Sequence, residues 1–273
     1  MISFISRPEF RGTDRIAQKQ YVIRLSARLR GQEVAEYLGA KFNPPKPEGT
    51  SVWIKPRHLQ PVKDGDYVDV LDDLDVIPFL KERPKVKVIA MSQVHYEYLK
   101  RELPNEAILI YHHHINFERK RHTRNKKLVG GFIGAPSKVA YEKYNEIKEA
   151  LAKVGIDFTY CFHFQTREEM VNYYMSIDFL IIYNLNLDDK NCFYRHPTKI
   201  INAASFGIPS LAQPILGYKE IGGFYIPIES VDDIVREVEK LKDLDYYSQF
   251  SNKICKEADK YHISNTTKLY KKL

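Results

Sequence analysis

Short apolar runs alternate along this chain with stretches whose apolar residues recur every three or four positions. A run of four to eight apolar residues suits a strand buried on both faces, and the three-to-four repeat suits one face of a helix. In the second half, "LVGGFIGAPS" predicts a strand that ends in a glycine turn. Ser137 then caps a helix whose inner face carries Ala140, Tyr144, Ile147, Leu151 and Val154. "IDFTYCFHF" predicts a strand, and Thr166 with Glu169 forms a capping box opening a helix through Met170, Val171 and Tyr174. "IDFLIIY" predicts a strand with no polar face. "RHPTKIINAASFGIPSLAQ", Arg195 to Gln213, predicts a helix that stops at Gly207 and turns through Ile208-Pro209 into a strand. "PILGYKEI" reads as a loop. "GGFYIPI" leads to Ser230, which caps a helix with Asp232 and Asp233 in its first turn, where they favour the dipole. Regular β-α alternation of this kind predicts a Rossmann-like unit with a parallel sheet.

The first half is less regular. "MISFIS", "SVWIKP", "YVDVLDD", "KVIAMS" and "AILIYHH" predict strands, and "RLRGQEVAEYLGA" and "SQVHYEYLKREL" predict helices. "FNPPKPEGTS" is a loop by its prolines and glycine. "NFERKRHTRNKK", residues 116–127, is polar and without apolar periodicity, so it marks a boundary. The expected organisation is α/β: a Rossmann-like domain over 1–115, a linker over 116–127, a second such domain over 128–245, and helices over 246–273 that pack back on the first domain.

The 273 residues, 44% hydrophobic and 28% charged, suffice for a sizeable core. No apolar run approaches the ~20 residues that span a bilayer. "MISFISRPEF" is too short and too soon charged for a signal peptide. Three scattered cysteines (Cys161, Cys192, Cys255) point to reduced thiols and a cytoplasmic location. A net charge of +7 with a pI near 9.0 suits an anionic partner, whether nucleotide, nucleic acid or lipid head group, and equally suits mere solubility. The terminal "YHISNTTKLYKKL" has Ile263, Leu269, Tyr270 and Leu273 among lysines; packing on the first domain is expected there, with peripheral contact at the inner face of a membrane as the alternative.

In open α/β sheets ligands lie beyond the carboxyl ends of the strands. "GGFIGAPSK" brings Gly131 and Gly134 there for close backbone approach, and the helix start at Ser137 for a phosphate. It is neither G-x-G-x-x-G nor a Walker sequence, and such glycines also make ordinary turns. Pro197 suits a first helical turn, which sets Thr198 and Lys199 at the helix mouth. A lysine there opposes the dipole, so Arg195 and Lys199 are better explained by an anion such as a diphosphate. Gly217 and Glu220 lie in the loop that follows. Asp72, past the strand "YVDVL", is a candidate general base or a turn aspartate. Arg24, Arg28 and Arg30 would bind an anionic acceptor or decorate a helix. Of His112, His113 and His114, neighbours in a strand face opposite ways, so no metal is expected; one of them, His114, would touch substrate. The run Arg119, Lys120, Arg121, Arg124, Lys126, Lys127 is a solvated linker or a polyanion-attracting edge. No Ser/His/Asp or Cys/His pattern is present.

"HPTKIINAASFGIPSLAQPILGYKEI" resembles the donor-site segment of GT-B glycosyltransferases, the group-1 or family-4-like retaining enzymes, whose pattern is P-T-K-L-x-E-x-x-x-x-G-x-P followed by a loop ending in glutamate. The order of elements agrees over 128–245, and "YVIRLSARLRGQEVAEYLGA", "SVWIKP" and "AMSQVHYEYLKREL" are similar to first-domain segments of that group. The resemblance implies two Rossmann-like domains facing a central cleft, with a nucleoside-diphosphate-sugar held by the second and an acceptor by the first. It implies that Arg195 and Lys199 face the diphosphate, that Gly131 and Gly134 let it approach, and that Ser137, Thr198, Asn202, Gly217 and Glu220 complete the donor site. Arg24 and His114 would serve the acceptor side. Neither metal nor other cofactor is implied. The family's E-x7-E pair falls on Tyr194 and Asn202; neither is acidic, although Asn202 could bond a ribose hydroxyl and Glu220 could supply a carboxylate. The implied activity is glycosyl transfer to a hydroxyl of a glycan or lipid-linked sugar. Two alternatives stand beside it: phage-type glycosylation of hydroxymethylated DNA bases, and a GT-B-shaped module without turnover.

Overall fold

A computed structural model describes residues 2–6, 11–13, 20–22, 27–56, 59–134, 138–162, 164, 166–183 and 196–273. The chain divides into two compact units, Met1–His113 with Ile263–Leu273, and His114–His262.

The first unit opens with β1 (Ile2–Ser6) and a short antiparallel pair, β2 (Arg11–Thr13) and β3 (Gln20–Val22). A π-helical turn over Arg28–Gln32 runs into α1 (Glu33–Leu38). Then come β4 (Lys41–Phe42), β5 (Thr50–Ile54), β6 (Tyr67–Asp69), α2 (Ile77–Lys81), β7 (Lys87–Ala90), α3 (Gln93–Glu102) and β8 (Ala107–Leu109). All six strands of the main sheet are parallel, in the order β4-β1-β5-β6-β7-β8. The β2–β3 pair and β4 are additions to the predicted elements; at two or three residues each they are too short to show a period.

The second unit holds β9 (Val129–Ile133), α4 (Lys138–Lys153), β10 (Asp157–Cys161), α5 (Arg167–Met175), β11 (Phe179–Ile182), α6 (Thr198–Phe206) and β12 (Ser210–Ala212). β13 (Ile226–Pro227), α7 (Val231–Leu241) and α8 (Leu244–Ala258) complete it. Its sheet is parallel, in the order β10-β9-β11-β12-β13. The caps fall where the sequence puts them. Thr166 accepts from Glu169 N, Ser230 and Asp233 form a reciprocal capping box, and α6 ends at Gly207 in the left-handed region, φ +78°. All four residues of β11 are buried, as its unbroken apolar run requires. The core under α4 gathers Tyr144, Ile147, Leu151, Phe158, Phe179 and Ile181.

Three expectations are corrected. Residues 116–127 are mostly exposed, as expected, but they fold with the second unit rather than forming a separate linker. His122 Nε2 lies 2.9 Å from Asp178 Oδ1, both side chains buried, and the same carboxylate accepts from the backbone of Asn125 and Val129. Arg124 donates to the carbonyls of Leu241 and Lys242. A polar segment without periodicity can still pack when its donors meet carboxylates and helix-end carbonyls. Residues 246–262 also stay with the second unit, where α8 packs on α6; only α9 (Ile263–Tyr270) and the last residues join the first. "PILGYKEI" forms a 3-10 helix over Leu216–Ile221 rather than an open loop.

In α9, Ile263 and Tyr270 are fully buried, and Tyr270 meets Phe4 edge-on at 5.4 Å. The tail therefore spends its apolar residues inside the first unit, not on a lipid surface. Among the described residues no helix is long and apolar enough to cross a membrane.

Candidate functional site

In the second sheet the chain steps from β9 outward to β10 and then returns to place β11 on the other side of β9. Such a reversal leaves a crevice beyond the carboxyl ends of the two central strands, where α/β folds take their ligands. Gly134 follows β9 directly, at φ +130°, a conformation that side chains rarely adopt, and its N–H donates to Cys161 O at 2.9 Å. A Cβ built on Gly134 would lie 2.8 Å from Lys199 Nζ. That ammonium sits over the Phe132 ring, 4.6 Å from its centroid. Lys199 belongs to the first turn of α6, beside Thr198, whose Oγ1 is 2.9 Å from His196 Nδ1. The structure thus joins two predicted residues 65 positions apart in the chain: a half-buried cation, a bare backbone turn and a helix mouth with no acidic residue in its first turn. The first amides of a helix lack intrahelical acceptors, so this corner favours an anion.

The remaining donor-side candidates separate. Gly131 lies within β9, paired with β10 and β11, and a Cβ there would sit 2.6 Å from Tyr173 Oη and 2.8 Å from two carbons of Ile177. Packing alone accounts for this glycine. Asn202 is also turned inward: its side chain is buried and Oδ1 accepts from Ile115 N at 3.1 Å, so the expected ribose contact is replaced by an internal one. Gly217 and Glu220 lie on the 3-10 helix after β12, which leaves the sheet at the same edge because Ala212 pairs with Ile182. Gly217 is buried and Glu220 half-buried, with Oε1 shielded from solvent. Tyr144 Oη accepts from Tyr183 N at 3.1 Å and so holds the end of β11; burial pushes this phenol well above its ordinary range. Arg195, Ser137 and Arg24 lie outside the described residues.

In the first unit Asp72 lies past β6 as expected, with its carboxylate 2.5 Å from Lys55 Nζ. This geometry is an ion pair. His114 is corrected: it lies in the second unit, buried, its Nδ1 accepting from Asn116 N and its ring 5.3 Å from that of His262. His113 Nε2 lies 3.2 Å from Glu33 Oε2. Among the described residues no three His, Cys, Asp or Glu side chains gather as a metal would need.

Arg30, expected to bind an acceptor or decorate a helix, is corrected: it is fully buried, in a pair that the sequence reading missed. Arg30 and Asp69 form an ion pair with both side chains fully buried, Nε to Oδ2 at 2.7 Å, while Arg30 Nη1 donates to the carbonyls of Ile110 and Tyr111. Burial pushes the Asp69 carboxyl up, and the guanidinium beside it pulls the other way. The available signal was an aspartate inside the apolar strand "YVDVL", since a charge flanked so closely by core residues needs a buried partner. Next to this pair His95 is buried, accepting from Met91 N at Nδ1, with its pKa lowered to about 4 by burial and by Arg30.

The sequence matches no protein-family model and no curated protein. Among solved structures the chain is similar to S. aureus TarM in complex with fondaparinux, alpha-GlcNAc-glycerol and UDP, at a TM-score of 0.57 and 11% identity over 95% of this chain and 60% of that one. It is similar to the glycosyltransferase SsfS6 of Streptomyces sp. SF2575, complexed with thymidine diphosphate, at 0.52 and 8% over the full length of both chains. It is also similar to Anabaena HepE in complex with UDP-glucose, at 0.51 and 12% over 81% and 70%. The chain spans about three-fifths of TarM. With two parallel sheets, each reversing strand order after its first strand, the chain has the GT-B glycosyltransferase fold.

Proposed function

We propose that this protein transfers a glycosyl group from a nucleoside-diphosphate-sugar to an acceptor hydroxyl on a glycan or a lipid-linked sugar. The observation that carries the reading is the Lys199 ammonium held against Gly134 at the switch point of the second sheet. As the bond from the anomeric carbon to the diphosphate breaks, its electron pair passes to a phosphate oxygen. A fixed cation and helix amides aimed at that oxygen lower the barrier because they stabilise charge that grows in the transition state. Arg195, four residues earlier, is assigned to the same diphosphate. No metal enters this account, and the location proposed is the cytoplasm. The bound UDP, thymidine diphosphate and UDP-glucose of the three similar structures support the donor class.

Thermal shift with UDP-glucose and other nucleoside-diphosphate-sugars is the direct test. A ligand at about 100 times its Kd adds roughly 2.7 kcal/mol of stability, and Lys199→Ala should remove most of that shift. No shift with any of them in the wild type would sink the reading.

A second reading, a nucleotide-sugar-binding module without turnover, is favoured by Asn202. The acid expected at that position is absent, and the amide is spent on Ile115. Slow hydrolysis of a bound donor without acceptor would exclude it; tight binding with no product under any condition would support it.

A further inference from the structure

The second unit begins at His114, and three hydrogen bonds lace the chain from there to His122 onto α6. Ile115 N donates to Asn202 Oδ1 at 3.1 Å, Asn116 Nδ2 to Ser205 O at 2.9 Å, and His122 N to Phe206 O at 3.0 Å. The last two satisfy carbonyls at the carboxyl end of the helix, which lack intrahelical donors. The first uses a side chain in mid-helix, and both of its partners are buried. With Oδ1 taken by Ile115, Asn202 has its Nδ2 left to donate, and the Tyr174 hydroxyl receives it: burial pushes that phenol up, and the hydrogen bond from Asn202 pulls it partly back. Tyr174 Oη donates in turn to Lys199 O at 3.4 Å. Tyr174 is itself buried and stacks on Phe206 at 5.7 Å and 18°. A chain of hydrogen bonds therefore runs from Ile115 through Asn202 and Tyr174 to the residue whose ammonium faces Gly134.

We propose that Asn202 is a positioning residue of the donor site: through Tyr174 it fixes the first turn of α6, and so the place of the Lys199 ammonium, against the segment that enters at Ile115. This rests on the donor reading above. It adds why an amide stands where an acid was expected. The position asks its occupant to accept from Ile115 and to donate to Tyr174. An amide has an oxygen that accepts and a nitrogen that donates, whereas an ionised carboxylate only accepts and is costly to bury unpaired. Asn202 acts through its neighbours, not by touching the ligand. Such support matters because a displacement of about 1 Å at a reacting centre costs on the order of 100-fold in rate.

The test uses the whole chain labelled with carbon-13 at lysine Cε, with Lys199 assigned by the signal missing from Lys199→Ala. The Phe132 ring shields protons held over its face, so the Lys199 methylene should resonate upfield of an exposed lysine. Asn202→Leu, which keeps the volume without the hydrogen bonds, and the milder Tyr174→Phe should both move that signal toward the exposed position. UDP, titrated calorimetrically, should bind about tenfold more weakly to each. In the Lys199→Ala background the same two substitutions should change UDP affinity by less than about twofold, because the residue they act through is gone. An equal loss in that background makes Asn202 merely structural and overturns the proposal. So does an unmoved Lys199 signal, or full UDP affinity in both variants. Asn202→Glu tests the rival explanation: tighter UDP binding or faster turnover of UDP-glucose would make position 202 a ligand site and overturn the positioning role, whereas a loss like that of Asn202→Leu supports it. The donor reading fails separately: a wild type that binds no UDP, with a Lys199 signal that still moves in Asn202→Leu, overturns the donor and keeps the hydrogen-bonded support of the lysine.

Discussion

Lys199 shows what a single position can and cannot disclose. Its place at a helix mouth, against the dipole, was legible from "HPTKII", and so was its call for an anion. Its support was not: the ring of Phe132 beneath it is 67 residues away in sequence. That support changes the expected phenotype. An exposed lysine would be removed without cost, but this one loses a cation–π contact and a packed stem, so Lys199→Ala should destabilise the protein by about 1 kcal/mol. Because the ammonium holds the diphosphate before and during bond breaking, kcat/KM should fall by roughly 100-fold, as for the loss of a strong electrostatic donor. Steady-state kinetics beside a urea melt reads both, and a near-normal kcat/KM would dismiss the assignment. His95 gives a prediction of another kind. Its folded pKa of about 4 lies below the ordinary 6.5, so the unfolded chain binds the extra proton first. Stability is then flat above pH 6.5 and declines as pH falls from 6.5 toward 4, by about 2 kcal/mol at pH 5. His95→Gln, which cannot titrate, should lose that part of the slope; an unchanged slope would mean that other groups produce it.

At the scale of elements, strands and helices were largely legible because each carries its own period and its own cap, as Ser230 with Asp233 and Gly207 show. What an element turns toward ligand and what it turns toward the core were not legible. "LVGGFIG" offers three glycines with equal claims, and only the packed structure separates them. Gly131 faces Tyr173 and Ile177 on α5 and the turn after it, whereas Gly134 faces the Lys199 amine. Asn202 similarly has the right position for a ligand contact and the wrong face. The two glycines should part in experiment. Gly131→Ala forces a methyl into a full site and should cost about 1–3 kcal/mol, with donor affinity retained. Gly134→Ala meets only the tip of a flexible side chain, so its main cost is the backbone conformation, about 1 kcal/mol, yet it pushes the ammonium aside. Donor affinity should fall by about tenfold or more, the equivalent of roughly 1.4 kcal/mol. Urea melts and UDP-glucose titrations of both variants decide this, and the reverse pattern would place the ligand at Gly131.

For the whole molecule, the division into two α/β units follows from the alternation, but the route of the last residues does not. "YHISNTTKLYKKL" has a helical pattern that names no partner, and its burial depends on residues more than two hundred positions away. The structure gives Ile263–Leu273 to the first unit. Tyr270 has no exposed surface, meets Phe4 of β1 edge-on, and has the Arg30 guanidinium 5.7 Å from its ring centre. The final helix therefore closes the core next to the Arg30–Asp69 pair, and burial with its phenol there keeps Tyr270 protonated far above neutral pH. Truncating a fully buried aromatic to alanine leaves a cavity worth about 3–5 kcal/mol. Tyr270→Ala should spend that loss in one unit only: amides of β1, β5 and α1 should exchange with solvent faster by two orders of magnitude or more, while those of β9 and β11 keep their protection. Because the chain leaves the first unit after His113 and returns to it at Ile263, the alternative is a loss shared by all strands, and hydrogen exchange resolved by segment tells the two apart. Equal acceleration in β9 and β1 would mean that the tail stabilises the molecule as one cooperative body; no change in β1 would mean that it is not part of the first core at all.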